Sequence, residues 1–186
     1  GNTTPKFSGG FGLNATYKGF DMSMFFNFMY DFDVLNANKI MLTTWADNKE
    51  NNFLMDIASD KRWRNFDDMG NEIRYSPEVL AEFNKNATMW NPTSIGRPIC
   101  MSYAVEDGSF LRLNSATRGY TLPSVWTKKV GLSKVRFYVS GNNLFTLTGY
   151  SGYDPEVNIA TGLTPNIDYN RYPRSRTYTF GAQLTF

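Results

Sequence analysis

The sequence contains no histidine and a single cysteine, Cys100. Imidazole catalysis and most zinc sites need histidine, and one cysteine allows neither an intrachain disulfide framework nor a cysteine metal cluster. The 19 basic and 17 acidic residues give a net charge of +2, which is not the basic surface typical of nucleic-acid binding. No run of about 18 apolar residues occurs, so no transmembrane helix is predicted. These absences favour a protein that is not an enzyme and that holds no metal or cofactor.

Aromatic residues are abundant, with 15 Phe, 11 Tyr and 4 Trp among 186 residues, although the mean hydropathy is only −0.41. Nearly half of them lie in segments where apolar and polar residues alternate. In the clearest segment, Tyr178, Phe180, Ala182 and Leu184 alternate with threonine, glycine and glutamine. Successive side chains of a β-strand point to opposite faces, so this pattern predicts a strand with one apolar face. The same pattern predicts strands over 10–17, 20–30 and 135–142.

A fifth alternating segment, 109–122, changes phase along its length. Leu111 and Leu113 are apolar at odd positions, but the apolar residues then shift to Ala116 and Tyr120. A β-bulge near Asn114 would cause this shift. The pattern alone does not fix the strand register here.

The length and composition of these strands favour a membrane β-barrel. They run about 10 residues or longer, against a usual length of about 5–6, and this is the length that crosses a bilayer at a tilt. Aromatic residues stand at the strand ends, as in the aromatic girdles of membrane barrels; they are Tyr17, Phe20, Tyr30, Tyr120, Tyr178 and Phe186. The predicted fold is all-β, an antiparallel transmembrane β-barrel segment of five long strands. A soluble β-sandwich with tyrosine-rich strands is the alternative.

The alternation assigns residues to the two faces of the sheet. The residues predicted to face lipid are Phe11, Leu13, Phe26, Phe137, Phe180 and Leu184. The residues predicted to face the lumen, and therefore the candidates for contact with a substrate, are Asn14, Thr16, Arg136, Tyr138, Asn142 and Gln183.

The connections between the strands alternate in length. The first is the tight turn 17–20 and the third spans 123–134, whereas 31–107 and 149–174 are long. Outer-membrane barrels have short periplasmic turns and long extracellular loops, so the two long regions are predicted to be extracellular. The first contains a predicted helix at 76–85, with Ser76 as N-cap and Pro77 in the first turn.

Three tryptophans of the first long loop, Trp45, Trp63 and Trp90, are candidate ligand contacts. They could stack on sugar rings, cover a partner protein or anchor the loop core, and the sequence does not choose among these roles. Asp154 and Glu156 resemble a pair of catalytic acids only superficially, and a role in structuring their loop is favoured. Arg171, Arg174 and Arg176 form a basic cluster that could bind anionic groups or form local ion pairs.

Several segments together resemble one known family. They read EDGSFLRL at 106–113, GYTLP at 119–123, VSGNNLFT at 139–146, GYSGYDPEVN at 149–158 and YPRSRTYTFG at 172–181. In combination they resemble the C-terminal barrel of the SusC/RagA family of TonB-dependent outer-membrane transporters. Arg118 departs from the family pattern, where an apolar residue is expected; if it faces lipid, its charge must reach the membrane interface.

The resemblance implies a multi-pass protein in the outer membrane of a Gram-negative bacterium. Family barrels have about 22 strands around a plug domain, and five strands cannot close a barrel. We therefore expect residues 1–186 to be a C-terminal part of a receptor whose plug domain and remaining N-terminal strands lie outside this chain. The implied activity is import of an oligosaccharide or peptide with a SusD-like surface lipoprotein, driven by the TonB complex through the plug. The alternatives are a soluble glycan-binding or adhesion module and a passive pore.

The last strand carries a pattern of its own. Thr179, Gly181, Leu184 and Phe186 fit the polar–x–Gly–x–x–apolar–x–apolar signal with which barrel proteins end. In such proteins the barrel-assembly machinery recognises this last strand, and an unpaired strand edge is suited to recognition by edge pairing. The plain alternative is an amphipathic strand that ends in phenylalanine.

Overall fold

The computed structural model describes residues 1–44, 52–57, 61–93, 101–157 and 165–186. The chain divides into two compact units. The first comprises Gly1–Val34, Glu106–Ile167 and Arg171–Phe186, and the second comprises Leu35–Val105 and Asp168–Asn170.

Long strands dominate the described residues and short helices lie between some of them. The strands are β1 (Phe7–Tyr17), β2 (Phe20–Tyr30), β3 (Asp33–Asn36), β4 (Val105–Asp107), β5 (Phe110–Thr121), β6 (Lys134–Thr148), β7 (Ile167–Asp168) and β8 (Thr177–Thr185). The α-helices are α1 (Ala37–Met41), α2 (Pro77–Asn84) and α3 (Ser124–Thr127), and 3₁₀ turns occur at Met55–Ile57, Ser102–Ala104 and Lys128–Val130. No helix among these residues has both the length and the apolar character needed to cross a membrane.

The five long strands form one antiparallel sheet in the order β1-β2-β5-β6-β8. These are the five predicted strands, and β6 extends six residues beyond the predicted end at Asn142. Strands β1 and β2 are joined by Lys18 and Gly19, whose φ angles of 46° and 86° are those of a type I′ hairpin turn. The short strands form a second sheet in the order β4-β3-β7, which the sequence did not predict because strands of two to four residues show no usable alternation.

The β-bulge predicted in β5 is present and fixes the register. On one side Phe25 pairs with Ser115 while Phe26 pairs with Leu113, which leaves Asn114 as the extra residue. On the other side the register shifts between the same two residues of β5. The extra residue returns Ala116, Arg118 and Tyr120 to the face that carries Leu111 and Leu113.

One face of the sheet is apolar and uncovered in the described part of the chain. Its rings pair across strands, with centroids 4.9 Å apart for Phe11 and Phe26 and 4.4 Å apart for Phe20 and Tyr120. Phe180 is 79% exposed and Leu13 50% exposed, and many other large side chains on this face are exposed, although Leu113 and Val135 are buried. Water-soluble monomers rarely leave so large an apolar surface in contact with water. The soluble β-sandwich alternative is therefore disfavoured, since a sandwich would bury this face.

A small core lies on the opposite face, at the end of the sheet remote from the β1–β2 turn. It consists of buried side chains that follow or end the long strands: Phe32, Val34, Phe110, Tyr150 and Val157, with Met29 packed against them. Gly108 allows the close approach, because a Cβ atom there would lie 2.5 Å from the Phe32 ring.

The second unit contains the predicted helix, α2, within one residue of its predicted ends. Ser76 is the N-cap through its backbone, with Leu80 N donating to its carbonyl oxygen at 2.8 Å, but its side chain makes no capping hydrogen bond. Asn84 is buried at the C-terminal end, where its side chain donates to the carbonyls of Arg64 and Leu80 and accepts from Arg64 N.

Candidate functional site

The strand register separates the candidate residues as their alternation predicts. The predicted lumen residues share one face: Asn14, Thr16, Arg136, Tyr138, Asn142 and Gln183. The predicted lipid residues share the other: Phe11, Leu13, Phe26, Phe137, Phe180 and Leu184. Contact of the first set with a substrate remains a prediction.

A bidentate ion pair crosses the polar face from β6 to β2. Arg136 Nε donates to Asp21 Oδ1 at 2.9 Å and Nη2 donates to Oδ2 at 2.5 Å. The guanidinium passes over Gly119 of the intervening strand β5, where a Cβ atom would lie 2.5 Å from Nη2. Glycine at this position is therefore needed for the pair to form across three strands.

Tyr138 continues the same row toward the edge strand β8. The guanidinium carbon of Arg136 lies 5.2 Å from the Tyr138 ring centroid, and the ring lies over Gly181, its cross-strand partner. We call Asp21, Arg136 and Tyr138, with Gly119 and Gly181 beneath them, the polar stripe. It links β2, β5, β6 and β8 on the face predicted to line the lumen.

A second charged cluster binds the segment Asp154-Pro155-Glu156 to β5. Arg112 is 2% exposed and donates from Nη2 to Asp154 Oδ1. Its Nη1 lies 3.7 Å from Glu156 Oε2, and Arg174 Nη2 lies 2.9 Å from Glu156 Oε1. Both carboxylates are thus engaged by arginines, which supports the loop-structuring interpretation over a catalytic pair.

A polar cavity of about 240 Å³ adjoins this cluster. Its lining includes Arg112, Asn143, Thr146, Tyr153, Arg174 and Arg176. All three arginines of the basic cluster noted in the sequence are exposed; Arg174 and Arg176 contribute to this lining, whereas Arg171 does not.

Sequence reasoning missed Asp21 and Arg112 as members of the site. A signal was available, since both are charged residues at lumen-phase positions of strands that otherwise carry few charges. Their partners lie far away in sequence, 115 residues from Asp21 to Arg136 and 42 from Arg112 to Asp154. The pairing depends on sheet order, which alternation does not specify.

The second unit has a cavity of about 410 Å³ with two exposed rings at its border. Trp63 is 42% exposed and Phe66 49% exposed, and the lining also includes Arg62, Asn65 and Asn91. Apart from these two rings its lining is polar or charged, so the cavity differs from the mainly apolar pockets that usually bind small molecules.

Asp67 shapes one wall of this cavity. Its carboxylate accepts hydrogen bonds from Asn71 Nδ2 at 2.9 Å and from the backbone N of Asn71 at 2.7 Å and Met69 at 2.9 Å. The hydrogen bonds from Asn71, the side-chain one first, hold the pKa of Asp67 below its ordinary value.

The other two loop tryptophans differ from Trp63. Trp90 donates from Nε1 to the carbonyl of Thr43 at 3.2 Å, and its ring meets that of Tyr103 edge-on at 5.2 Å. These contacts favour the loop-anchoring role for Trp90. Trp45 lies outside the described residues.

The residues of the terminal pattern occupy β8 and the position after it. Thr179, Gly181 and Leu184 pair with Ser140, Tyr138 and Val135 of β6, and Phe186 is 88% exposed. Recognition by assembly machinery remains a prediction for them. Within the described ranges, no group of three or more acidic or cysteine side chains could hold a metal ion.

Comparison with known proteins shows similarity over the whole chain. No protein-family model matches. The TonB-dependent receptor P3 of Formosa agariphila is 34% identical over 192 residues, which cover 100% of this chain and 17% of that receptor. The TonB-dependent receptor SusC of Bacteroides thetaiotaomicron is 36% identical over 88 residues, covering 45% of this chain and 8% of SusC.

Solved structures agree with these relatives. The RagAB peptide importer in its closed-closed state matches 99% of this chain and 18% of its own chain, at 25% identity and a TM-score of 0.75. The two-faced antiparallel sheet and this match define a segment of a membrane β-barrel wall. The chain belongs to the SusC/RagA family of TonB-dependent receptors. It spans 17% of the length of the Formosa receptor.

Proposed function

We propose that this chain forms barrel wall and external loops of an outer-membrane, TonB-dependent nutrient importer. The observation that carries the proposal is the sheet with one uncovered apolar face and one polar face, in a chain similar throughout to TonB-dependent receptors. Lipid is the solvent that such an apolar face requires, and a closed barrel is the sheet form that lipid accepts. The proposed location is the outer membrane of a Gram-negative bacterium.

The proposed orientation follows from the connections. The turn at Lys18 and Gly19 and the link between β5 and β6 lie at one end of the sheet and are short. Short turns face the periplasm in outer-membrane barrels. Regions 31–107 and 149–174 then form extracellular loops, with the Trp63 cavity in the first.

The whole receptor would take up an oligosaccharide or a peptide. A plug domain and further N-terminal strands, outside this chain, would close the barrel and contact the TonB complex. A SusD-like surface lipoprotein would cover the extracellular mouth. The names of the relatives support this assignment, since one is SusC and RagAB is described as a peptide importer.

Uptake by the full-length receptor tests the proposal. The receptor gene is deleted from its host, and growth on single glycans and on peptide mixtures is compared with the parent strain and with a strain lacking TonB. We expect one nutrient class to require both the receptor and TonB, and the receptor to fractionate with the outer membrane.

Two results would contradict the proposal in different ways. Uptake that needs the receptor but not TonB would identify a passive pore. A receptor found in the soluble fraction without detergent would favour a glycan-binding or adhesion module.

A further inference from the structure

Arg118 is a charged residue on the apolar face of the sheet. It pairs with Met22 on one side and Val139 on the other, and its side chain is exposed. Every other residue that the register places on this face of β1, β2, β5, β6 and β8 is uncharged. Within the described part of the chain, no carboxylate forms a salt bridge with it; its guanidinium carbon instead lies 5.6 Å from the Phe20 ring centroid.

An arginine on a lipid-facing surface needs a counter-charge or access to water. The ring of Phe20 offers a cation–π contact, which does not neutralise the charge. A lipid phosphate is the anion that a membrane supplies in this position, and guanidinium groups bind phosphate with two parallel hydrogen bonds.

The depth of Arg118 fits the headgroup region. It lies two residues, about 7 Å along the strand, from Tyr120. Tyr120 pairs with Phe20 beside the β1–β2 turn, in the row of rings that also contains Tyr17. Such rings mark the membrane–water interface. A long arginine side chain two residues deeper in the strand can extend its charged end to that level.

A groove begins beside Arg118 and runs away from this row of rings. Its volume is about 220 Å³, and its walls include Met22, Met24, Val139, Leu144 and Tyr178. Ala116 and Gly141, paired on adjacent strands, form its low floor, and Leu144 lies against Gly141. Apart from Tyr178, which lies on the edge strand β8, the groove residues lie on strands that already have a neighbour on each side. Closure of the barrel by further strands therefore leaves the groove floor unchanged.

We propose that Arg118 and this groove form a binding site for an anionic phospholipid of the periplasmic leaflet. The phosphate pairs with the guanidinium, and one acyl chain lies in the groove toward the middle of the bilayer. A net negative headgroup is favoured over a zwitterionic one because the site supplies a positive charge without an acidic partner. This inference rests on the proposed membrane location of the chain.

Lipid retention by the full-length receptor tests the site. The receptor is purified from membranes containing phosphatidylethanolamine and phosphatidylglycerol, and native mass spectrometry counts the lipids that stay bound. We expect phosphatidylglycerol to be retained preferentially. Arg118→Gln should reduce its retention about fivefold, because this is the change in affinity expected when one arginine near an anionic lipid surface is lost. Arg118→Lys should keep most of the retention, since the charge remains.

Two further variants separate the groove from the charge. Ala116→Phe fills the groove floor while keeping the charge of Arg118, and it should also reduce phosphatidylglycerol retention. Lys85→Gln removes one charge from the exposed end of α2 and should leave the retention of phosphatidylglycerol unchanged.

Equal retention of both lipids by the unmodified receptor, or unchanged phosphatidylglycerol retention in Arg118→Gln, would overturn the lipid site. If the receptor fractionates with the membrane and supports TonB-dependent uptake in that case, the lipid site alone has failed. A receptor that is absent from the membrane fraction would instead overturn the proposed function.

Discussion

The ring of Tyr138 occupies the space in which residue 181 would carry a Cβ atom. An ideal Cβ atom on Gly181 would lie 2.4 Å from Tyr138 Cζ and 2.5 Å from its hydroxyl oxygen. The two residues are direct cross-strand partners of β6 and β8, so the backbones stay in place and the Tyr138 side chain must rotate to relieve the clash. Glycine therefore allows the Tyr138 ring to lie over β8, independently of any recognition by assembly machinery.

Gly181→Ala should destabilise the barrel by about 1–3 kcal/mol, the usual cost of overpacking. The full-length receptor is heated in steps and run on gels, where folded and unfolded barrels migrate differently. The temperature at which the mobility changes should be lower for the variant. Gly149→Ala is the matched control, because no atom lies within 4 Å of a Cβ atom at that glycine. Combining Gly181→Ala with Tyr138→Ala should recover part of the loss, whereas additive losses would refute the packing argument.

Breaking the ion pair of the polar stripe should also destabilise the sheet. Arg136→Gln removes both hydrogen bonds to Asp21, and hydrogen bonds to charged groups contribute more to stability than those between neutral groups. The same gel transition measures the loss. The exposed pair Lys6–Asp31 is the control, since Lys6→Gln should change stability little. A loss no larger for Arg136→Gln than for Lys6→Gln would contradict this prediction.

Removal of Arg112 should have the largest effect of the charge substitutions. Arg112→Gln leaves the Asp154 side chain, 10% exposed, without its cation, and an uncompensated buried charge costs about 3–5 kcal/mol. The segment from Tyr150 to Val157 should then become sensitive to protease on intact cells. Arg171→Gln, at an exposed position, should leave cleavage unchanged. Resistance of the Arg112→Gln receptor would show that Pro155 and Val157 hold the segment without the ion pair.

Alternation predicted the sheet well because its physical cause is local. Each side chain of a strand faces lipid or lumen according to its own parity, so Phe137 and Arg136 are separated by sequence alone. The bulge at Asn114 was also visible, since it changes that parity. The pairs Arg136–Asp21 and Arg112–Asp154 were not visible, because they depend on which strands become neighbours.

The loop regions were predicted less completely for the same reason. Helix α2 follows from local capping signals, Ser76 and Pro77, and was predicted. The short strands β3, β4 and β7 depend on tertiary contacts and were not. Trp63 and Trp90 look alike in sequence, yet one borders a cavity and the other donates to Thr43, which only the fold of the loop decides.

The turn around Asp67 should loosen at acidic pH. Its pKa is lowered in the folded protein, so the stabilisation is present above the ordinary aspartate pKa and is lost as the pH falls through the folded value. The protection of the amides of Met69 and Asn71 against hydrogen exchange, measured in the full-length receptor relative to the intrinsic rate at each pH, should fall over that acidic range. Asp67→Asn should remove this pH dependence, and Glu78→Gln, at an exposed position of α2, should retain it. Unchanged protection of these amides at acidic pH would show that the turn does not depend on the carboxylate charge.

Substitution of Trp63 should affect substrate binding, whereas substitution of Trp90 should affect the folding of the loop. Trp63→Ala removes a ring that is 42% exposed at the cavity border, so it should weaken substrate binding and leave the loop folded. Trp90→Ala removes the hydrogen bond to Thr43 and the edge contact with Tyr103, so it should increase protease cleavage of the loop. Binding of the imported glycan or peptide is measured by calorimetry on the full-length receptor, and cleavage is measured on intact cells. If Trp63→Ala binds normally while its loop is cleaved, Trp63 is an anchor and the cavity is not a substrate site.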